Sequence, residues 1–259
     1  MNNFIAGAFG FLGALVAHDL AAQALLDLPL RPLTGTCPRC GTRRGWLAAR
    51  CPSCARPVGR EILLIGVGIV VAVGFTNTIG PAWALIPYIG FLWLTLALGI
   101  TDIDAFRIVD RLNIRGTVVL VLALGVASMA DASGGAWVRA VLGGLAYFAG
   151  TNLMFLLVRG RGFGYGDVKL SAQLGVFTAY LSWGTLGWSV FLTALIGGVL
   201  SMGVLVAGLV GRSRQRKAGG SEMTVRDAMR AEVPYGPPMI LGAWIAIVLV
   251  GLGAIPIPT

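Results

Sequence analysis

What most limits the fold open to this chain is the recurrence of apolar, nearly uncharged stretches, each close to the length of a membrane-spanning helix and separated by short polar segments. Backbone N–H and C=O groups find no water in hydrocarbon, so a crossing segment satisfies them internally as a helix of about 20 apolar residues. Such stretches run from about Phe4 to Leu28, Ile62 to Thr78, Trp83 to Ile100, Gly116 to Met129, Val138 to Val158, Asp167 to Leu181, Val190 to Val210 and Pro237 to Ile255. The pattern predicts an all-α polytopic membrane protein with about eight transmembrane helices. With 56% hydrophobic and 12% charged residues in 259 positions, no room is left for a large soluble domain.

The net charge of +9 is not spread as a nucleic-acid binder would spread it, and no nucleic acid is expected as a partner. Basic residues cluster between the apolar stretches, which is how membrane proteins fix their orientation against the lipid bilayer. With the N-terminus outside, only Arg139 of the 20 basic residues falls on the extracytoplasmic side. The chain is therefore expected in the plasma (inner) membrane as a multi-pass protein, with N- and C-termini extracytoplasmic. Because the first basic residue is Arg31, the first stretch lacks a positive leader and reads as a retained span, not a cleaved signal peptide.

Three units follow: a first helix over residues 1–30, a cytoplasmic module over 31–60, and a seven-helix membrane domain over 61–259. The module holds all four cysteines, Cys37, Cys40, Cys51 and Cys54. Two C-x-x-C knuckles direct four thiolates at one point, which suits a structural, zinc-ribbon-like tetrahedral zinc site with no open position for catalysis. A pair of disulfides is the alternative, and the arginine-rich setting favours the reducing cytoplasm and zinc.

Chemistry concentrates in two stretches. RGFGYGDVKL, from Arg161 to Leu170, puts Asp167 on glycine-rich backbone beside apolar runs, and TDIDAFRIVDRLN, from Thr101 to Asn113, carries Asp102, Asp104 and Asp110. A carboxylate at a helix centre in a membrane costs roughly 2.5 kcal/mol or more, so acids here point to function. If Asp102 and Asp167 meet, their like charges cannot both ionise cheaply, and one holds a proton while the other acts as base. That pairing describes an aspartic protease.

These stretches resemble those of the type IV prepilin peptidases, membrane aspartic proteases of the G-x-G-D group. Asp102 with Asp110 matches the family's two aspartates at a cytoplasmic helix end, and Gly164 to Leu170 matches its G-x-G-D-x-K-L segment. VPYGPPMILGA, from Val233 to Ala243, is similar to the segment that opens the family's last helix. Val109 stands where the family usually has a proline. The resemblance implies Asp102 and Asp167 as catalytic acids at the cytoplasmic face and, as partner, the N-terminal segment of a prepilin or pseudopilin, cut after a short basic leader. Many such proteins also methylate the new N-terminus. The interval between the cysteine pairs is shorter here than in those bifunctional members, so S-adenosylmethionine enters as a cofactor only if that activity is retained.

Around the pair, Asp104 and Asp110 are expected to orient the site or meet a basic leader, with Asp110 returning to the face of Asp102 if the helix continues. Gly164 and Gly166 are expected to admit an extended peptide near Asp167, and Lys169 to contact lipid headgroups or tune the pair. His18 and Asp19 read as a hydrogen-bonded or interfacial pair. Other readings stay open: a presenilin-like protease, though Pro-Tyr-Gly-Pro replaces its Pro-Ala-Leu; a magnesium-dependent prenyltransferase using Asp102, Asp104 and Asp110; or a transporter or scaffold.

Overall fold

The computed structural model describes residues 3–28, 30, 41–42, 59–159, 164–217 and 235–254. Among them are eight α-helices and no strand: α1 (Asn3–Leu25), α2 (Gly59–Ile79), α3 (Leu85–Ala105), α4 (Asp110–Ala130), α5 (Gly134–Leu157), α6 (Tyr165–Leu181), α7 (Trp183–Lys217) and α8 (Gly236–Gly251). Six helices are long and apolar enough to cross a membrane: α1, α3, α4, α5, and the Ile62–Ile79 and Trp183–Val204 parts of α2 and α7. The other two are shorter, 17 residues in α6 and 16 in α8. At 1.5 Å per residue each reaches about 25 Å, somewhat less than the ~30 Å hydrocarbon layer. Cys37, Cys40, Cys51 and Cys54 lie outside the described residues.

Inside a bilayer, helices gain little from the hydrophobic effect when they associate, so close packing and internal hydrogen bonds hold them together. The centre is an aromatic cluster between α2, α3 and α6. Phe91 stacks on Phe177 with ring centroids 4.3 Å apart, Tyr88 meets Phe177 edge-on at 5.1 Å, and Phe75 closes against both Tyr88 and Phe91. The Tyr88 hydroxyl donates to the Phe177 carbonyl at 2.5 Å, leaving no polar orphan in the cluster. The result is that α3, the most enclosed of the six spanning candidates, is fixed against α6. On its other side α6 lies backbone to backbone on α5: a Cβ at Gly175 would sit 2.7 Å from the Gly143 carbonyl oxygen and 2.9 Å from Gly144 Cα. Gly150, further along α5, faces open space.

One end of the bundle is closed by three caps. Asp131, in the turn after α4, accepts the N–H groups of Trp83 and Ala84 at 3.0 and 2.9 Å, covering the start of α3. Arg139 donates to the carbonyls of Ala179, Tyr180 and Leu181 at 2.8, 2.6 and 3.0 Å, satisfying the end of α6. Ser182 is extended, and its Oγ accepts the Thr185 N–H at 2.9 Å. This serine cap lets α7 begin at Trp183, seven residues before the Val190 start that hydropathy suggests.

The opposite end differs from expectation as well. Polar residues do not stop a helix at the bilayer rim, and α3 runs on through Asp102 and Asp104 to Ala105, where hydropathy alone ends it at Ile100. It stops at Phe106, whose left-handed backbone (φ 50) returns its N–H to the Asp102 carbonyl at 2.8 Å. The next helix then starts at Asp110, not Gly116. In α1, Asp19 is buried and His18 half-buried, and each has an interaction partner.

Candidate active site

Asp102 sits on the last turn of α3 and is 5% exposed. Its Oδ2 accepts the Gly236 N–H at 3.0 Å. That donor comes from the first turn of α8, which reads Gly236-Pro237-Pro238. Proline has no N–H, so Gly236 supplies the only backbone donor among these three positions, and it is aimed at the acid. A Cβ at position 236 would lie 2.7 Å from Asp102 Oδ2, so the approach requires glycine.

Asp167 lies in the first turn of α6 and is 6% exposed. Local sequence folds it in place: its own N–H donates to the Gly164 carbonyl, and the Gly164 N–H donates to its Oδ2, both at 3.1 Å. The reciprocal bonds form a capping box with a carboxylate where the helix dipole favours negative charge. Gly166 serves a different contact, since a Cβ there would come within 3.0 Å of Ile108 Cβ in the link between α3 and α4. Thus α6 can close against that link. The two acids, 65 residues apart in sequence, lie at the same end of the bundle: Asp102 is in the last turn of α3, and Asp167 follows Gly166, which packs on Ile108 in the link that leaves α3. Each carboxylate is held by a backbone N–H at the start of a helix.

The remaining acids separate from this pair. Asp110 Oδ2 is bonded to Lys169 Nζ at 2.6 Å, and that ammonium also lies 5.2 Å from the centroid of the Tyr165 ring. Asp110 does not return to the face of Asp102, because the helix breaks after Ala105 and Asp110 opens α4. Asp104 is exposed. Among the described residues no three histidine, cysteine or acidic side chains gather as a cation site, so Asp102, Asp104 and Asp110 do not form the cluster a magnesium-dependent prenyltransferase needs.

Two neighbours escaped the reading of the sequence. Gly236 holds Asp102, and Tyr235 precedes it at the entrance to α8. Burial, and then the nearby charge of Asp167, push the Tyr235 phenol up from its ordinary value, so it is protonated at neutral pH. The available signal was the Pro-Pro that follows Gly236, which marks its N–H as the one donor of that turn.

A match to the type IV leader peptidase family spans residues 88–202, which include Asp102, Asp110 and the Gly164–Asp167 segment. Full-length comparison gives 28% identity to a prepilin leader peptidase/N-methyltransferase of Aeromonas hydrophila, over 78% of this chain and 63% of that protein. Proteins of the same name from Pseudomonas aeruginosa and Pseudomonas putida are 29% and 32% identical, over 87% and 82% of this chain and 74% and 70% of theirs. The chain thus spans somewhat less than two thirds of the Aeromonas relative's length. No solved structure matches it. With the match centred on the two acid-bearing segments and a relative at 32% identity covered over 70% of its length, the chain belongs to the type IV leader peptidase family.

Proposed function

We propose that the chain is a membrane aspartic endopeptidase that removes the short basic leader from type IV prepilins or pseudopilins at the cytoplasmic face of the inner membrane. The observation that supports this reading is that two interior helices bring Asp102 and Asp167 to one end of the bundle, each carboxylate held by a backbone N–H. Two coupled carboxylates share a proton. The ionised member takes a proton from a water whose oxygen attacks the scissile carbonyl carbon, while the protonated member donates to the carbonyl oxygen. Collapse of the tetrahedral intermediate breaks the C–N bond as the leaving nitrogen takes a proton from the pair. No step calls for a nucleophilic side chain. The substrate's apolar helix lies along the bundle in lipid, and its basic leader stays at the acid-bearing end.

The test is co-expression with a prepilin-like substrate, read by electrophoretic shift. Asp102→Asn and Asp167→Asn should each slow cleavage by about 10²–10⁴-fold; leader removal that persists at the wild-type rate in either variant contradicts the pairing. Because the acids titrate as a unit, the rate should peak between two apparent pKa values and fall on both sides, by protonation of the base at low pH and ionisation of the acid at high pH. A rate that climbs without a maximum between pH 4 and 10 (about the span from carboxylate to phenol ionisation) counts against a shared proton.

Two further parts rest on other observations. The relatives' names join the peptidase to an N-methyltransferase, and on this chain methylation is tested by transfer of a labelled methyl group from S-adenosylmethionine to the N-terminal amine of the cleaved product. The zinc reading rests on the spacing of Cys37, Cys40, Cys51 and Cys54. Metal analysis should give about one zinc per chain in the wild type and a marked loss in Cys37→Ser; equal metal content in both excludes that site.

A further inference from the structure

Gly236 poses a mechanical problem. It is the residue type with the greatest backbone freedom, yet its N–H must stay on one carboxylate oxygen. Pro237 and Pro238 stiffen the chain on one side only. On the other side stands Tyr235, whose carbonyl accepts the Met239 N–H at 3.3 Å as α8 begins. Its ring reaches across to α7 at Gly197. A Cβ at Gly197 would fall 2.8 Å from Tyr235 Cε2 and 3.3 Å from Cζ and Oη. The adjacent Gly198 has nothing within 4 Å of its own Cβ position, so of these two glycines only Gly197 makes room for the ring.

We propose that the Tyr235 ring, keyed against Gly197 of α7, is a positioning device that keeps the Gly236 N–H on Asp102. The inference rests on the peptidase reading above and deepens it. A hydrogen bond donated to a carboxylate favours its ionised form, so a loosened Gly236 lets Asp102 take up a proton more readily. With the negative charge of the pair on Asp102, the acidic limb of the rate profile then moves to higher pH. The ring packed against Gly197 does this work. The nearest atoms to a Cβ at Gly197 all belong to Tyr235, so Gly197 acts through the tyrosine.

The experiment uses the full chain in lipid nanodiscs with a prepilin-like substrate, and follows kcat/KM against pH. In Tyr235→Ala the acidic limb should rise by about one pH unit, the size of one lost hydrogen bond to a charged group, with kcat/KM on that limb lower by up to about tenfold. Gly197→Ala should shift the limb in the same direction, Tyr235→Phe should recover most of what Tyr235→Ala loses, and Gly198→Ala should match the wild type. An unmoved limb in both Tyr235→Ala and Gly197→Ala overturns the inference, as does a Tyr235→Phe variant as impaired as Tyr235→Ala. If Tyr235→Ala does not fold, Gly197→Ala and Tyr235→Phe decide the matter. Titration of Asp102 by its infrared carboxyl band, subtracted against Asp102→Asn, reads the same shift without turnover. A wild type that cleaves nothing therefore overturns the peptidase reading, while the infrared shift still judges the keyed ring.

Discussion

A carboxylate buried among apolar helices persists only where something answers its charge. For Asp102 and Asp167 among the described residues the answer is a backbone N–H each, which steadies the acid and leaves room for a proton. Asp110 is answered by an ammonium. The glycines that permit these bonds differ in how much they can yield. Gly236→Ala places a methyl 2.7 Å from Asp102 Oδ2, whereas Gly164→Ala leaves 3.2 Å to Asp167 Oδ2. In the cleavage assay Gly236→Ala should therefore lose more activity, and a milder loss there than in Gly164→Ala contradicts the geometry. The Asp110 and Lys169 pair is partly exposed, so Lys169→Met should change unfolding stability by no more than about 1 kcal/mol. G-x-G-D disclosed the setting of Asp167 because both partners lie within four residues. Nothing near Asp102 could disclose its donor, which lies 134 residues further along the chain.

Among the helices, hydropathy located every element and misjudged several ends. It stopped α3 before the acids because aspartates look like a turn, yet a helix can carry polar residues at its rim while its backbone bonds continue. It began α7 too late because Ser182 caps without any apolar signature. Arg139 shows most clearly what composition conceals: as a lone cation on the far side it looks like an exception to the charge pattern, and in the fold it closes the C-terminal end of α6 with three hydrogen bonds. Arg139→Gln should destabilise the protein by about 2–3 kcal/mol, measured by thermal unfolding in detergent. Arg139→Lys should recover only part, since an ammonium lacks the planar fork that reaches several carbonyls. A variant as stable as the wild type means the cap is not needed.

At the scale of the whole molecule, two independent signs agree. Motifs selected Asp102 and Asp167, charge placed their segments on one side, and the folded chain brings them to one end of the bundle, opposite the caps at Asp131 and Arg139. Reporter fusions should accordingly place the turn at Ser133 and the loop after α7 on opposite sides of the membrane, with the loop cytoplasmic; the same side for both would undo the proposed orientation. The general architecture was legible because a bilayer admits so few solutions, and the packing partner of most helices was not, because Gly175 and Phe91 carry no mark in sequence of the helix each one meets.

The bond from α8 to Asp102 has a consequence in time. A chain made from its N-terminus completes α3 and α6 before α8, so Asp102 waits for its Gly236 donor until α8 has docked. On the proposed reading, a nascent protein is therefore unable to cleave until the Gly-Pro-Pro start of α8 has arrived.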